Sequence, residues 1–251
     1  MKISKGLAVL ATLILIVMGS SLFINLLLYR RANQYYRELN QTRLDPLGLE
    51  NYPINSSLEI SSSQSRIVFW GDSRAASWSS PDTSQYKFIN RGINGQTSSQ
   101  TSQRFAEHIR SLKPDIVIIQ VGINDLKTIA LFPERKAAII ANCQANIKRM
   151  VDDSRKLGAV VVVTTVFPVG EVPLERKLFW SDQINPAIKE VNAYIETLAA
   201  EKTIVLNAFA VLADEQGTVL KQYRADELHL NEKGYAALNQ KLLPIVLELS
   251  F

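Results

Sequence analysis

From residue 66 onward, short apolar runs alternate with longer amphipathic stretches. The runs at 66–70, 86–90, 115–121, 159–166 and 203–207 read as strands. Those at 115–121 and 159–166 are continuous and rich in β-branched residues, the pattern of strands buried on both faces of a parallel sheet. Helices are expected at 98–112, 134–157 and 184–201, with a last one from about 231. Ile140, Cys143, Ile147, Met150, Val151 and Leu157 form one apolar stripe, closed by Gly158. Ile188, Val191, Ile195 and Leu198 form another. Asn231 suits the N-cap of the last helix, and Pro244 is expected to kink or restart it. Alternating β and α elements predict one doubly wound α/β domain of three layers, over 66–251.

The N-terminal pattern is different. After a short tail (1–5), Gly6 to Tyr29 contains no Asp, Glu, Lys or Arg. As a helix this stretch is ~36 Å long, enough to cross a hydrocarbon core of about 30 Å with some tilt. A transmembrane anchor at 6–29 is therefore expected. A cleaved signal peptide is the rival, but Met18-Gly19-Ser20-Ser21 is a poor cleavage site and apolar residues resume at once. Lys2 and Lys5 before the span and Arg30 and Arg31 after it leave the positive-inside count undecided. A short tail ahead of a large domain fits a signal anchor that places the domain outside the cytoplasm. Residues 30–65 read as a juxtamembrane stalk. Arg30 to Arg43 can extend the helix, and Asp45-Pro46, Gly48 and Tyr52-Pro53 break it. The serine-rich stretch from Asn55 to Ser65 reads as a linker. The basic residues near the span serve either as topology determinants or as contacts to anionic headgroups.

Charge and cysteine content narrow the function. The formal net charge is +4 and the pI is near 9.1. Residues 1–45 hold six basic and two acidic side chains, and the remainder is balanced. The basic pI is thus a property of the N-terminal segment and gives no case for nucleic-acid binding by the domain. The single Cys143 excludes an internal disulfide and lies in a helical apolar stripe, where it reads as a small buried hydrophobe. No Cys/His cluster has metal-ligand spacing, and no metal or organic cofactor is implied.

Chemistry concentrates where strands end. The first strand runs into Gly71-Asp72-Ser73, the second into Asn90 to Thr97, and the third into Gly122-Ile123-Asn124-Asp125. Three turns leaving one edge of a parallel sheet can converge. Asp226-Glu227-Leu228-His229 precedes the last helix. Four such blocks in this order resemble the SGNH hydrolase family, also called GDSL esterases/lipases, and His229 to Tyr235 fits that family's usual continuation. The resemblance runs from Arg66 to the C-terminus and leaves out the anchor and stalk.

The resemblance implies a flavodoxin-like five-stranded sheet in the order 2-1-3-4-5. It also implies a nucleophile at Ser73, a triad completed by Asp226 and His229, and an oxyanion hole from Ser73, Gly95 and Asn124. Elementary chemistry agrees. A serine hydroxyl needs a base, and histidine titrates in the useful range. His108 sits beside Phe105, Ile109 and Leu112 in a helix and reads as a surface or helix-packing residue, which leaves His229. Asp226 lies three residues earlier and can fix its tautomer. Gly92 is a weaker oxyanion candidate than Gly95, while Asp72 and Asp125 are expected to shape their loops. An α/β-hydrolase half matches Gly71 to Ala75 but is rejected, because the serine opens the domain and the acid lies so close to the histidine.

Departures from the family pattern are Arg74 where leucine is common, no glycine within Ala75-Ala76-Ser77-Trp78, and Glu227 where glycine is common. Expected cleft walls are 74–85, 126–133 and 167–183. Trp78, Phe132, Phe167, Phe179 and Trp180 serve either an acyl site or core and lid packing. The expected activity is hydrolysis of an acyl or acetyl ester of a small molecule, lipid or glycan. An O-acyltransferase and a non-catalytic anchored binding domain are the alternatives.

Overall fold

The computed structural model describes residues 4–52 and 64–249. The linker expected over 55–65 therefore lies mostly outside the described residues. The chain divides into two compact units, Met1–Pro46 and Leu47–Phe251. Within the first, α1 (Lys5–Leu44) is one unbroken helix, capped by the Ser4 side chain, with no buried residue. It is long and apolar enough to cross a membrane, and it continues past the apolar stretch to Asp45.

The second unit contains β1 (Ser65–Gly71), α2 (Ser73–Ala76), β2 (Tyr86–Gly92), α3 (Ser98–Gln103), α4 (Phe105–His108), β3 (Ile116–Gln120), α5 (Ile123–Leu126), α6 (Lys136–Lys156), β4 (Val160–Thr164), α7 (Ile184–Glu196), β5 (Thr203–Leu206), α8 (Ala208–Leu212) and α9 (Glu232–Glu248). All four strand pairings are parallel, in the order β2-β1-β3-β4-β5. Strand periodicity splits the core in two. Val68, Trp70, Val117, Ile119, Val161 and Val163 pack with Cys143, Ile147 and Met150 of α6 and Ile188 and Val191 of α7. Ile67, Phe69, Ile116, Ile118, Val160 and Val162 pack instead with Leu212 of α8 and Leu238, Leu242 and Val246 of α9. Helices therefore cover both faces, as the continuous apolar strands require.

Three helix expectations need correction. Residues 98–112 form α3, α4 and a 3₁₀ turn at Arg110–Leu112, not one helix. Four of the six residues from Ser98 to Gln103 are Ser or Thr, weak helix formers, and Arg104 leaves helical geometry to bury its guanidinium over the Trp70 ring, 3.8 Å from the centroid. Helix α7 stops at Glu196, short of 201, because Ala200 turns back to bridge Thr203. Pro244 does not restart the last helix, for α9 runs through it. Pro244 and Gln240, the residue whose carbonyl loses its partner, are both exposed, where that loss costs least. Leu242 and Val246 hold the helix on the core.

Residues 47–52 open the second unit and pack against its β2 and α4. Tyr52 Oη donates to the Gly92 carbonyl at 2.6 Å, and His108 Nε2 donates to the Leu47 carbonyl at 3.0 Å. His108 is buried between Tyr52 and Trp70, the packing role and not the surface one.

Candidate active site

The turn after β1 is forced by close approach. A Cβ on Gly71 would lie 1.7 Å from the Gln120 carbonyl oxygen, so only glycine lets β1 and β3 run together to their ends. Asp72 then caps α2 by accepting from the Arg74 N–H at 2.8 Å. Burial raises its pKa to about 6, against the opposing effects of the Arg74 charge and N–H. Ser73 is the first residue of α2, at the carboxyl edge of the sheet.

Ser73 Oγ lies 3.1 Å from His229 Nε2. On the other side of the ring, His229 Nδ1 is 2.8 Å from Asp226 Oδ2 and 3.1 Å from Oδ1. An ionised carboxylate only accepts, so Nδ1 carries the proton and Nε2 is left to accept from the serine. Asp226 Oδ1 also accepts from the Leu228 and His229 N–H groups, both at 2.7 Å. Burial raises the Asp226 pKa, but these hydrogen bonds outweigh it and the net shift is downward. This arrangement lets the imidazole remove the serine proton while the carboxylate orients and stabilises the resulting cation.

Gly95 and Asn124 line the same cleft, a hollow of about 310 Å³ that also holds Ser73 and His229. Gly95 has φ +75 and open space where a Cβ would be, so its backbone presents itself unshielded. Asn124 is buried and gives one amide hydrogen to the Gln96 carbonyl at 2.9 Å, leaving its second for a ligand. Gln96 is itself held by Arg104, whose Nε donates to Gln96 Oε1 at 2.5 Å and Nη2 to the Gly71 carbonyl at 2.9 Å. The Gly92 N–H already donates to Asn90 Oδ1 and is unavailable. Asp125 accepts from both the N–H and the hydroxyl of Ser98, tying the second turn to the third. A larger, open hollow of about 580 Å³ adjoins at Ser77 but contains neither Ser73 nor His229.

Arg74 is buried and reaches across the site. Its Nε donates to the Leu228 carbonyl at 2.8 Å, Nη1 to Phe167 at 3.0 Å and Nη2 to Pro168 at 3.2 Å. The serine's neighbour thus fastens the histidine loop and the loop after β4 to α2. Glu227 is buried and pairs with Arg176. Of the two roles open to the aromatic residues, the acyl site is not the one found. Trp78 and Phe167 are core residues, Phe132 and Phe179 are exposed, and none of these or Trp180 lines the cleft. Lys127 and Arg176 line it instead, neither singled out by the sequence.

The family model of the GDSL-like lipases/acylhydrolases matches residues 61–237, and the chain belongs to that family. A GDSL-like lipase from Bacteroides thetaiotaomicron is similar in structure, with TM-score 0.61 and 27% identity over 74% of this chain and 89% of its own. A lipase/acylhydrolase from Enterococcus faecalis shares the fold at TM-score 0.53 and 20% identity, over 73% of this chain and 95% of its own. An acetylxylan esterase from Geobacillus stearothermophilus is 25% identical over 124 residues, 45% of this chain and 55% of that protein, so the match spans about half the relative's length.

Proposed function

We propose that this chain is a serine ester hydrolase with Ser73 as nucleophile, His229 as base and Asp226 as the orienting acid. The observation that carries the reading is the hydrogen-bonded chain from Ser73 through His229 to Asp226. Ser73 Oγ attacks the ester carbonyl carbon as its proton passes to His229 Nε2. The oxyanion is received by the Ser73 and Gly95 N–H groups and the second amide hydrogen of Asn124. Collapse expels the alcohol, which takes the proton from Nε2. Water then enters by the reverse route, releases the acid and restores the serine.

The similarity to an acetylxylan esterase and to GDSL-like lipases supports an acetyl or longer acyl ester of a glycan or lipid as substrate. Full-length protein in non-ionic detergent should hydrolyse members of a graded series of 4-nitrophenyl esters, and the most favoured acyl length would define the acyl site. No Ser73-dependent turnover across the series would refute the proposal.

The anchor is proposed at 6–29, the stalk at 30–65 and the hydrolase domain over 66–251. The long apolar helix near the N-terminus supports the anchor, and a short tail ahead of a large domain favours a domain outside the cytoplasm. Protease added to intact cells should remove the domain. Cleavage only after lysis would reverse the orientation.

A further inference from the structure

We propose that the cleft selects esters carrying a negative charge, a carboxylate or phosphate, beside the scissile bond, and that the Lys127 ammonium receives it. The inference rests on the esterase reading above. Lys127 lies one turn past Asn124 and lines the cleft with Ser73 and His229. Arg74 and Arg176 line it as well, and among the described residues no carboxylate does.

The three cations are not equivalent. Arg74 is committed to three backbone carbonyls, and Arg176 is paired with Glu227. The Lys127 ammonium has no hydrogen bond or ion pair with any described residue. A lysine at a cleft rim ordinarily extends its charge into bulk water. Lys127 is instead half-buried, with the charges of Arg176 and Arg74 only partly offset by Asp72 and Glu227, so its ammonium is left without a direct counter-ion that an anion in the cleft would supply. Burial first, and the Arg176 charge second, pull its pKa down, the change a bound anion would reverse. An anion there also lies beside the reacting carbonyl, so the same contact fixes substrate orientation.

The test measures kcat/KM of the full chain in non-ionic detergent for four aryl esters. These are 4-nitrophenyl acetate, 4-nitrophenyl hemisuccinate with the charge on the acyl side, 3-carboxy-4-nitrophenyl acetate with it on the alcohol side, and 4-acetoxyphenyl phosphate. Comparing the charged esters shows which side and which anion the site takes. For the preferred one, Lys127→Gln should lower the ratio of charged to uncharged kcat/KM by about tenfold or more, mainly through KM, and Lys127→Arg should largely keep it. In the wild type, glutarate should inhibit acetate-ester turnover competitively and glutaramide should not. A ratio unmoved in Lys127→Gln, or equal inhibition by glutarate and glutaramide, would overturn the inference while leaving the esterase reading in place. Absence of Ser73-dependent turnover of every ester would overturn both.

Discussion

Ser73→Ala and His229→Ala should each lower kcat by about 10⁴–10⁶-fold, and the double variant should be little worse than either single one. The non-additivity follows from the proposed mechanism, because the serine and its base act in one proton-coupled step. Neither change should unfold the domain. The Ser73 hydroxyl makes its side-chain hydrogen bond to His229, and the His229 ring makes its own to Ser73 and Asp226. Asp226→Ala should cost less than His229→Ala. The Asp226 side chain is 47% exposed, so solvent already shares in stabilising the imidazolium. The carboxylate positions the ring without transferring the proton itself. Steady-state kinetics, with circular dichroism as the folding control, would check all three.

Asn124→Ala should lower kcat by about 10²–10³-fold, the usual loss for one oxyanion donor, with little change in KM. The split matters because the oxyanion exists only in the transition state. Asn124 also holds the Gln96 carbonyl, and losing that hydrogen bond should cost on the order of 1 kcal/mol of stability. A variant that lost stability but kept kcat would place Asn124 in the loop scaffold alone.

Strand positions were legible in the sequence because β1, β3 and β4 are buried on both faces, which leaves an unbroken apolar signature, while the sheet order came from the family resemblance and is the order found. The helices were less so. Arg104 breaks the stretch after the second strand to stack on Trp70, and nothing local announces an inward-turning arginine. At Pro244 the helix does not restart, and the flanking Leu242 and Val246 pack it on the core.

The candidate site divides in the same way. Ser73, Gly95, Asn124, Asp226 and His229 were legible as an ordered set of blocks, and the fold gathers all but Asp226 around one cleft, with Asp226 behind the histidine ring. Arg74 was visible only as a departure from the family pattern. Its partners are backbone carbonyls of distant segments, which leave no mark on side-chain identity. Glu227, a second departure, pairs with Arg176 across 51 positions. Lys127 sits in an ordinary-looking helical turn and gains significance only when the third dimension places it beside Ser73. The aromatic residues were ambiguous in the sequence between an acyl site and the core, and Trp78 and Phe167 serve the core between β1 and α9.

The most direct test of the central claim is labelling by a fluorophosphonate, which forms a covalent adduct with a serine activated as a nucleophile. Intact-mass and peptide mass spectrometry of the full chain should show one adduct per molecule, on the peptide carrying Ser73. The adduct should be absent in Ser73→Ala and slow to form in His229→Ala. Labelling at another serine, or undiminished labelling of Ser73→Ala, would contradict the account.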